Sequence, residues 1–337
     1  GWLEHRPGIW NQYLERLNAL LILLAEEPGA RDDYESACAG RTGIEPFDAW
    51  VEELITTGYL HNHARMWFAS IWIFTLKLPW ELGADLFLRH LLDGDPASNT
   101  LSWRWVAGLH TQGKTSLTTP ANLEKYASSR FFVDGPPAGL SRLATQAEAV
   151  SAEMLPAAAS PVFPESVSVR NASGLLLTEE DLLLDSYFTP DAVAIWMPEP
   201  TQPLPIADQV RDFKLAAARD AAQRAVRKWP HCSEPVILCE IDDIVAWCAE
   251  QSLEQLHLGY LPQGYARTEY SDLETRLSHT KCGLVSFVRD YDRLVWPKAS
   301  KGFFQLKKRI PELITQLGLA ADSGETLRHS QTGMQGF

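Results

Sequence analysis

Gly40-Arg41-Thr42-Gly43 opens the stretch that decides the fold, followed by Asp48-Ala49 and by Gly58-Tyr59-Leu60-His61-Asn62-His63-Ala64-Arg65-Met66. It closes with Leu92-Asp93-Gly94-Asp95-Pro96-Ala97-Ser98-Asn99 and Trp103-Arg104-Trp105. Read as chemistry alone, Arg65 and Asp93 are a cation and a carboxylate set among apolar residues. A charge buried in such surroundings needs a partner or a ligand. Asp93 and Asp95 share one turn after a helical run, where the helix end is already electronegative. Two readings stand for that turn: a solvated acidic loop, or a site for an arginine, a metal or a hydroxyl-rich ligand. Met66 likewise reads as a core gap-filler or as a ligand contact. Trp103 and Trp105 are two apart on a helical run, so they face different ways.

Outward from this stretch, the first part of the chain reads as helices. Ile9, Tyr13, Leu14, Leu17, Leu20, Leu21 and Leu24 form a helical stripe stopped by Pro28-Gly29. Further helical runs are expected over Phe47–Thr57, Leu60–Leu78, Trp80–Leu92, Thr100–Ala107 and Leu140–Leu155. A Pro/Ala-rich stretch at 156–166 marks a change of composition. Beyond it, Ala192–Trp196, Val236–Leu238, Leu256–Tyr260 and Gly283–Val288 read as strands. They alternate with helices over Ala207–Lys228, Asp243–Gln251 and Ser271–Ser278, with another over Phe303–Leu317 broken at Pro311. That alternation predicts an α/β layer with a mostly parallel sheet. The expected organisation is a helical domain over 1–155, linker and extension over 156–190, an α/β domain over 191–320, and a flexible tail over 321–337.

The 337 residues suffice for two domains. Eight of the 12 tryptophans fall before residue 106, a local bias that suits an aromatic core, a stack for bases or a path for electrons. Net charge is -13, which argues against indiscriminate nucleic-acid binding and leaves a local basic patch open. The five cysteines form no CxxC pair, a reduced-compartment pattern without a metal signature. Met66–Leu76, the most apolar run, is too short to span a bilayer. No signal peptide is evident, and a cytoplasmic protein without membrane association is expected. The chain starts at Gly1 in mid-pattern, and residues are expected upstream.

Together, the order and spacing of these pieces resemble the flavin-cradling core of the photolyase/cryptochrome family. The resemblance covers residues 9–126. It implies an α-helical FAD-binding domain of photolyase type, here followed by a smaller α/β domain. It implies FAD as cofactor and UV-damaged DNA carrying a pyrimidine dimer as partner, with light-driven repair as the activity. By this resemblance Arg65 and Asp93 form a salt bridge beside the isoalloxazine, Asp95 contacts the flavin or its adenosine end, and Asn62 lines the pocket. Asn99 takes the position facing the flavin N5, where Asn is usual in photolyases. Trp103 is implied as the proximal electron donor and Trp80 as the second tryptophan of the electron path. The third has no counterpart, and Trp72 and Trp67 read first as core packing, with a rerouted electron path as the alternative. Met66, Trp105 and Trp10 are implied to line the substrate cavity.

Departures from the family pattern point to the alternative, a cryptochrome-like photoreceptor without repair. The family carries Glu three residues before Trp10 and Arg immediately after it, where this chain has Pro7 and Asn11. Glu4 lies out of register. The Thr/Ser-rich segment that holds the FAD phosphates is not found upstream, and the hydroxyl-rich run Lys114–Thr119 matches a different loop. Nor does the α/β half carry a GxGxxG or P-loop motif that would mark an antenna cofactor. Near its end, Lys298, Lys301, Lys307, Lys308 and Arg309 interleave with Trp296, Phe303 and Phe304. This segment reads either as a solvated helix face over a small aromatic core or as a surface for single strands and flipped bases.

Overall fold

The computed structural model describes residues 1–151, 155–165, 168–184, 186–198, 203–301 and 303–319. The tail expected over 321–337 lies outside the described residues.

Seven helices build the first part: α1 (Gly8–Glu26), α2 (Pro28–Cys38), α3 (Glu45–Thr57), α4 (Asn62–Ser70), α5 (Trp80–His90), α6 (Pro96–Val106) and α7 (Pro120–Phe131). Helix α1 buries Ile9, Tyr13, Leu17 and Leu24 of the expected stripe together with Trp10, and leaves Leu14, Leu20 and Leu21 half-buried. Proline at the first turn starts α2, α3, α6 and α7, where its missing N–H costs nothing. Gly58 ends α3 in the left-handed region at φ 67°, and a Cβ there would meet Leu92 Cγ at 2.6 Å. The run expected as one helix to Leu78 is α4 followed by a π-turn over Ile71–Thr75, with Leu76 N–H donating to Ile71 O at 2.9 Å. Such π-turns recur at functional sites, and this one places Trp72 in the helical core.

Of the helix expected over Leu140–Leu155, the described residues form only a 3₁₀ turn, Leu140–Arg142. The backbone donors beyond it go elsewhere: Ala144 N–H to Thr75 Oγ1 at 3.0 Å and Val150 N–H to Ala107 O at 3.2 Å. Tertiary partners therefore replace the i−4 carbonyls a helix would need.

The second part holds β1 (Ser173–Thr178), β2 (Ala192–Trp196), α8 (Asp208–Lys228), β3 (Val236–Leu238), α9 (Ile241–Glu250), β4 (Gln255–Gly259), α10 (Tyr265–Ser278), β5 (Gly283–Phe287), α11 (Asp290–Val295), α12 (Phe303–Lys307) and α13 (Ile310–Gln316). The strands pair in parallel in the order β3-β2-β1-β4-β5. Leu176, Ala194, Trp196, Leu256 and Leu258 face one core with Trp247 of α9 and Leu273 of α10. Leu175, Leu177, Val193 and Ile195 face the other with Ala218 and Ala221 of α8. The central strand β1 lies inside 156–190, the stretch expected as linker and extension. All six of its residues are buried, so no alternation marked it as a strand.

The strand C-termini abut the helical part. Glu4 Oε2 accepts from Tyr260 Oη at 2.8 Å, and its Oε1 accepts from Gln263 N–H at 2.7 Å. Tyr265, the first residue of α10, joins the helical core. Among the described residues no helix is long and apolar enough to cross a membrane.

Candidate functional site

A cavity of about 470 Å³ opens between α4, α5 and α6, within the range of small-molecule sites. Ala69, Phe87, Leu91, Trp103 and Val106 give it an apolar wall. Asn62, Arg65, Asp93, Asp95, Ser98 and Asn99 give it a polar side. Met66 and Trp105 also line it, and Trp105 is 38% exposed.

Each polar group is held by local structure. Arg65 Nη2 lies 3.0 and 2.9 Å from the two Asp93 oxygens, and its Nε donates to Leu60 O at 2.8 Å. The Arg65 guanidinium also stands 5.5 Å from the Tyr59 ring centroid. The Asp93 side chain is 58% exposed and that of Arg65 25%. The pair therefore sits at the rim, in contact with water, where the apolar sequence around it implied burial. Asp95 caps α6, its Oδ1 accepting from Ser98 N–H at 2.6 Å. Asn99 is buried, and its Nδ2 donates to Ala84 O at 2.8 Å, which orients the amide on the cavity wall.

Trp103 is buried against Phe68, Trp72 and Phe87, with ring centroids at 6.3, 6.3 and 5.1 Å. Its indole reaches α5 because Gly83 has no side chain: a Cβ there would stand 2.3 Å from Trp103 Cη2. His110 also lines the cavity, a residue that no sequence motif marked. Burial, with Arg104 and Arg6 nearby, lowers its pKa and favours the neutral ring.

One expected residue lies elsewhere. Trp10, expected on the substrate cavity, is 2% exposed beneath Tyr265, with ring centroids 4.9 Å apart at 82°. The α/β part covers it. Trp80 packs on Tyr13 at 5.7 Å and under the Arg104 guanidinium at 5.8 Å, while Trp72 is the tryptophan in ring contact with Trp103. The hydroxyl-rich run near Lys114 serves structure: Thr118 N–H donates to Ser70 Oγ at 2.8 Å and Thr119 caps α7.

Residues 3–130 match the family described as the FAD binding domain of DNA photolyase. That stretch belongs to the photolyase/cryptochrome family. The chain is similar to the deoxyribodipyrimidine photo-lyase of Vibrio cholerae serotype O1, 32% identical over 125 residues, or 34% of this chain and 26% of the relative. The corresponding protein of Thermus thermophilus is 46% identical over 107 residues, 32% of this chain and 24% of the relative. That of Streptomyces griseus is 44% identical over 80 residues, 24% of this chain and 18% of the relative. The chain thus spans about a quarter or less of the length of these curated relatives.

The cavity fits the ring system of the FAD that this family binds. Its wall offers flat apolar surfaces to a planar heterocycle, and its polar side offers a cation, two carboxylates, two amides and a hydroxyl. Two buried polar atoms on its lining residues, Trp103 Nε1 and His110 Nδ1, have no hydrogen-bond partner among the described residues, the state expected of groups a ligand would satisfy.

Proposed function

We propose that this chain holds FAD in the cavity between α4, α5 and α6 and acts as a photolyase, using light to split pyrimidine dimers in UV-damaged DNA. The observation that carries this reading is the convergence of Arg65, Asp93, Asp95, Asn99 and Trp103 on one cavity that Met66 and Trp105 also line. When bound and reduced, FAD supplies a light-excited one-electron donor to the lesion. Arg65 offers positive charge beside the ring, and Asp93 holds that charge in place. Asp95 presents a carboxylate fixed by its capping bond to hydroxyls of the cofactor. Asn99 offers an amide, which unlike a carboxyl group donates no acidic proton. Trp103 provides an oxidisable indole in a dry wall. Met66 and Trp105 give apolar faces for bases extruded from the duplex.

A second reading, a flavin photoreceptor without repair, draws on Trp10 and Glu4. Trp10 is shut beneath Tyr265, and Glu4 is engaged by Tyr260 and Gln263. Neither faces the cavity.

Absorption spectra before and after blue light with reductant, followed by assay of dimer-containing DNA, separate the readings. Flavin absorbance with loss of dimers in light alone supports the photolyase. Flavin that photoreduces while dimers persist supports the photoreceptor. Purified protein that takes up no flavin overturns both.

A further inference from the structure

Arg293–Pro311 carries six cations, Arg293, Lys298, Lys301, Lys307, Lys308 and Arg309, and no Asp or Glu, in a chain of net charge -13. Two of the six are committed to structure. Arg293 Nη2 donates to Pro164 O at 2.9 Å, and Lys298 Nζ bonds Gln316 Oε1 at 3.2 Å. Lys301, Lys307, Lys308 and Arg309 are exposed, and no described side chain forms an ion pair with them.

The aromatic residues of this segment divide in the same way. Trp296 packs between Phe163 at 6.0 Å and Tyr260 at 5.6 Å. Phe303 and Phe304 are 63% and 76% exposed, with ring centroids 5.8 Å apart, and α12 buries no residue. A small aromatic core beneath α12 would have hidden these rings. Instead two adjacent phenyl rings are exposed beside four cations that have no ion pair among the described residues.

The patch connects to the cavity through a short run of contacts. Arg6 Nη1 donates to Ser300 O at 3.5 Å, and the Arg6 guanidinium lies 4.6 Å from the Trp2 ring centroid. The Trp2 ring in turn stands 5.0 Å from that of His110, which lines the cavity.

We infer that the surface carrying Lys301, Phe303, Phe304, Lys307, Lys308 and Arg309 docks a single DNA strand, with phosphates on the four cations and bases stacked on the two phenyl rings. The chemistry matches at both levels: cations follow a phosphate backbone, and exposed aromatic faces take any base. The acidic remainder of the chain repels polyphosphate and confines a strand to this patch. A lipid surface fits less well, because interfacial binding needs an extended amphipathic helix and α12 has five residues. The surface extends the DNA-repair reading: a strand leaving the cavity past His110, Trp2 and Arg6 arrives at Ser300.

The test uses the full chain in the dark, with an undamaged fluorescein-labelled oligothymidylate of about 15 nucleotides, by anisotropy between about 50 and 200 mM NaCl. Lys307→Gln/Lys308→Gln/Arg309→Gln should weaken binding at least about tenfold at low salt and flatten the log–log salt slope by about 2. Phe303→Ala/Phe304→Ala should weaken binding about tenfold and leave the slope unchanged. Both variants alter exposed side chains, and matching far-UV circular dichroism would show that they fold. Wild-type affinity and slope in both variants overturn the inference. So does binding to phosphatidylserine vesicles without binding to the oligonucleotide. Flavin absorbance and light-driven dimer loss, read on the same samples, separate the two claims. Protein without flavin whose strand binding follows these substitutions keeps the surface and loses the photolyase reading. Dimer repair with strand binding indifferent to them does the reverse.

Discussion

Tyr265 of α10 stands edge-on to Trp10 of α1, with centroids 4.9 Å apart and planes at 82°, and so closes one part of the molecule over the other. The tyrosine is 7% exposed and belongs to the helical core although it begins an α/β helix. Tyr265→Ala should lower stability by about 3–5 kcal/mol, as for other large aromatic truncations. It should also make Trp10 accessible to acrylamide. Urea unfolding with fluorescence quenching measures both. Unchanged quenching would mean that the two parts are held together without this ring.

Arg65 and Asp93 make a different prediction from the one their apolar neighbours suggest. A buried pair would lose about 3–5 kcal/mol on removal of one partner. At 58% exposure of Asp93, water replaces much of the lost interaction, and Asp93→Ala should cost about 1 kcal/mol or less. The same substitution should strongly weaken flavin retention if the rim carboxylate orients Arg65 toward the ring. Denaturation midpoints and flavin-to-protein absorbance ratios check the two halves. Full flavin occupancy in Asp93→Ala would remove this pair from the site.

Trp103 contacts Trp72 at 6.3 Å and packs into the space left by Gly83. Trp72→Phe should therefore slow flavin photoreduction more than Trp80→Phe, while Trp103→Phe should slow it most. Gly83→Ala places a methyl 2.3 Å from Trp103 Cη2 and should cost about 1–3 kcal/mol through displacement of the indole. Laser-flash absorption follows the first series, and thermal unfolding follows the second. Equal photoreduction in Trp72→Phe and wild type would show that electrons take another route.

The sequence was most legible where local chemistry decides structure. Pro28 and Gly58 mark helix ends that local chemistry alone could place, whereas the Asp95-Pro96 cap starts α6 four residues ahead of the run expected from Thr100. Residues from Asn62 to Trp105 came together as one cavity because two short helices and one turn carry nearly all of them. The rest depended on long-range contacts. Strand β1 is buried on both faces and offers no period. The burial of Trp10 depends on Tyr265, 255 residues away in the chain. Residues 140–151 lost a helical pattern to the carbonyl of Ala107 and the hydroxyl of Thr75. No local propensity contains such information.

His257 in β4 gives the sheet a predicted response to acid. The residue is 0% exposed, with Tyr187 Oη 2.6 Å from Nδ1 and Gln255 Oε1 3.2 Å from Nε2. Burial pushes its pKa down to about 4. The folded state thus refuses a proton that the unfolded chain accepts below about pH 6.5. Stability contributed by the neutral imidazole is complete above about pH 6.5 and is lost as pH falls toward about 4, by at most about 1.4 kcal/mol per pH unit. His257→Gln should be less stable than wild type at pH 7.5, because it breaks the contact with Tyr187. Its stability should also fall less steeply between pH 6.5 and 4. Urea unfolding of both proteins across that interval measures the difference in slope, and parallel curves would show that His257 does not titrate on unfolding.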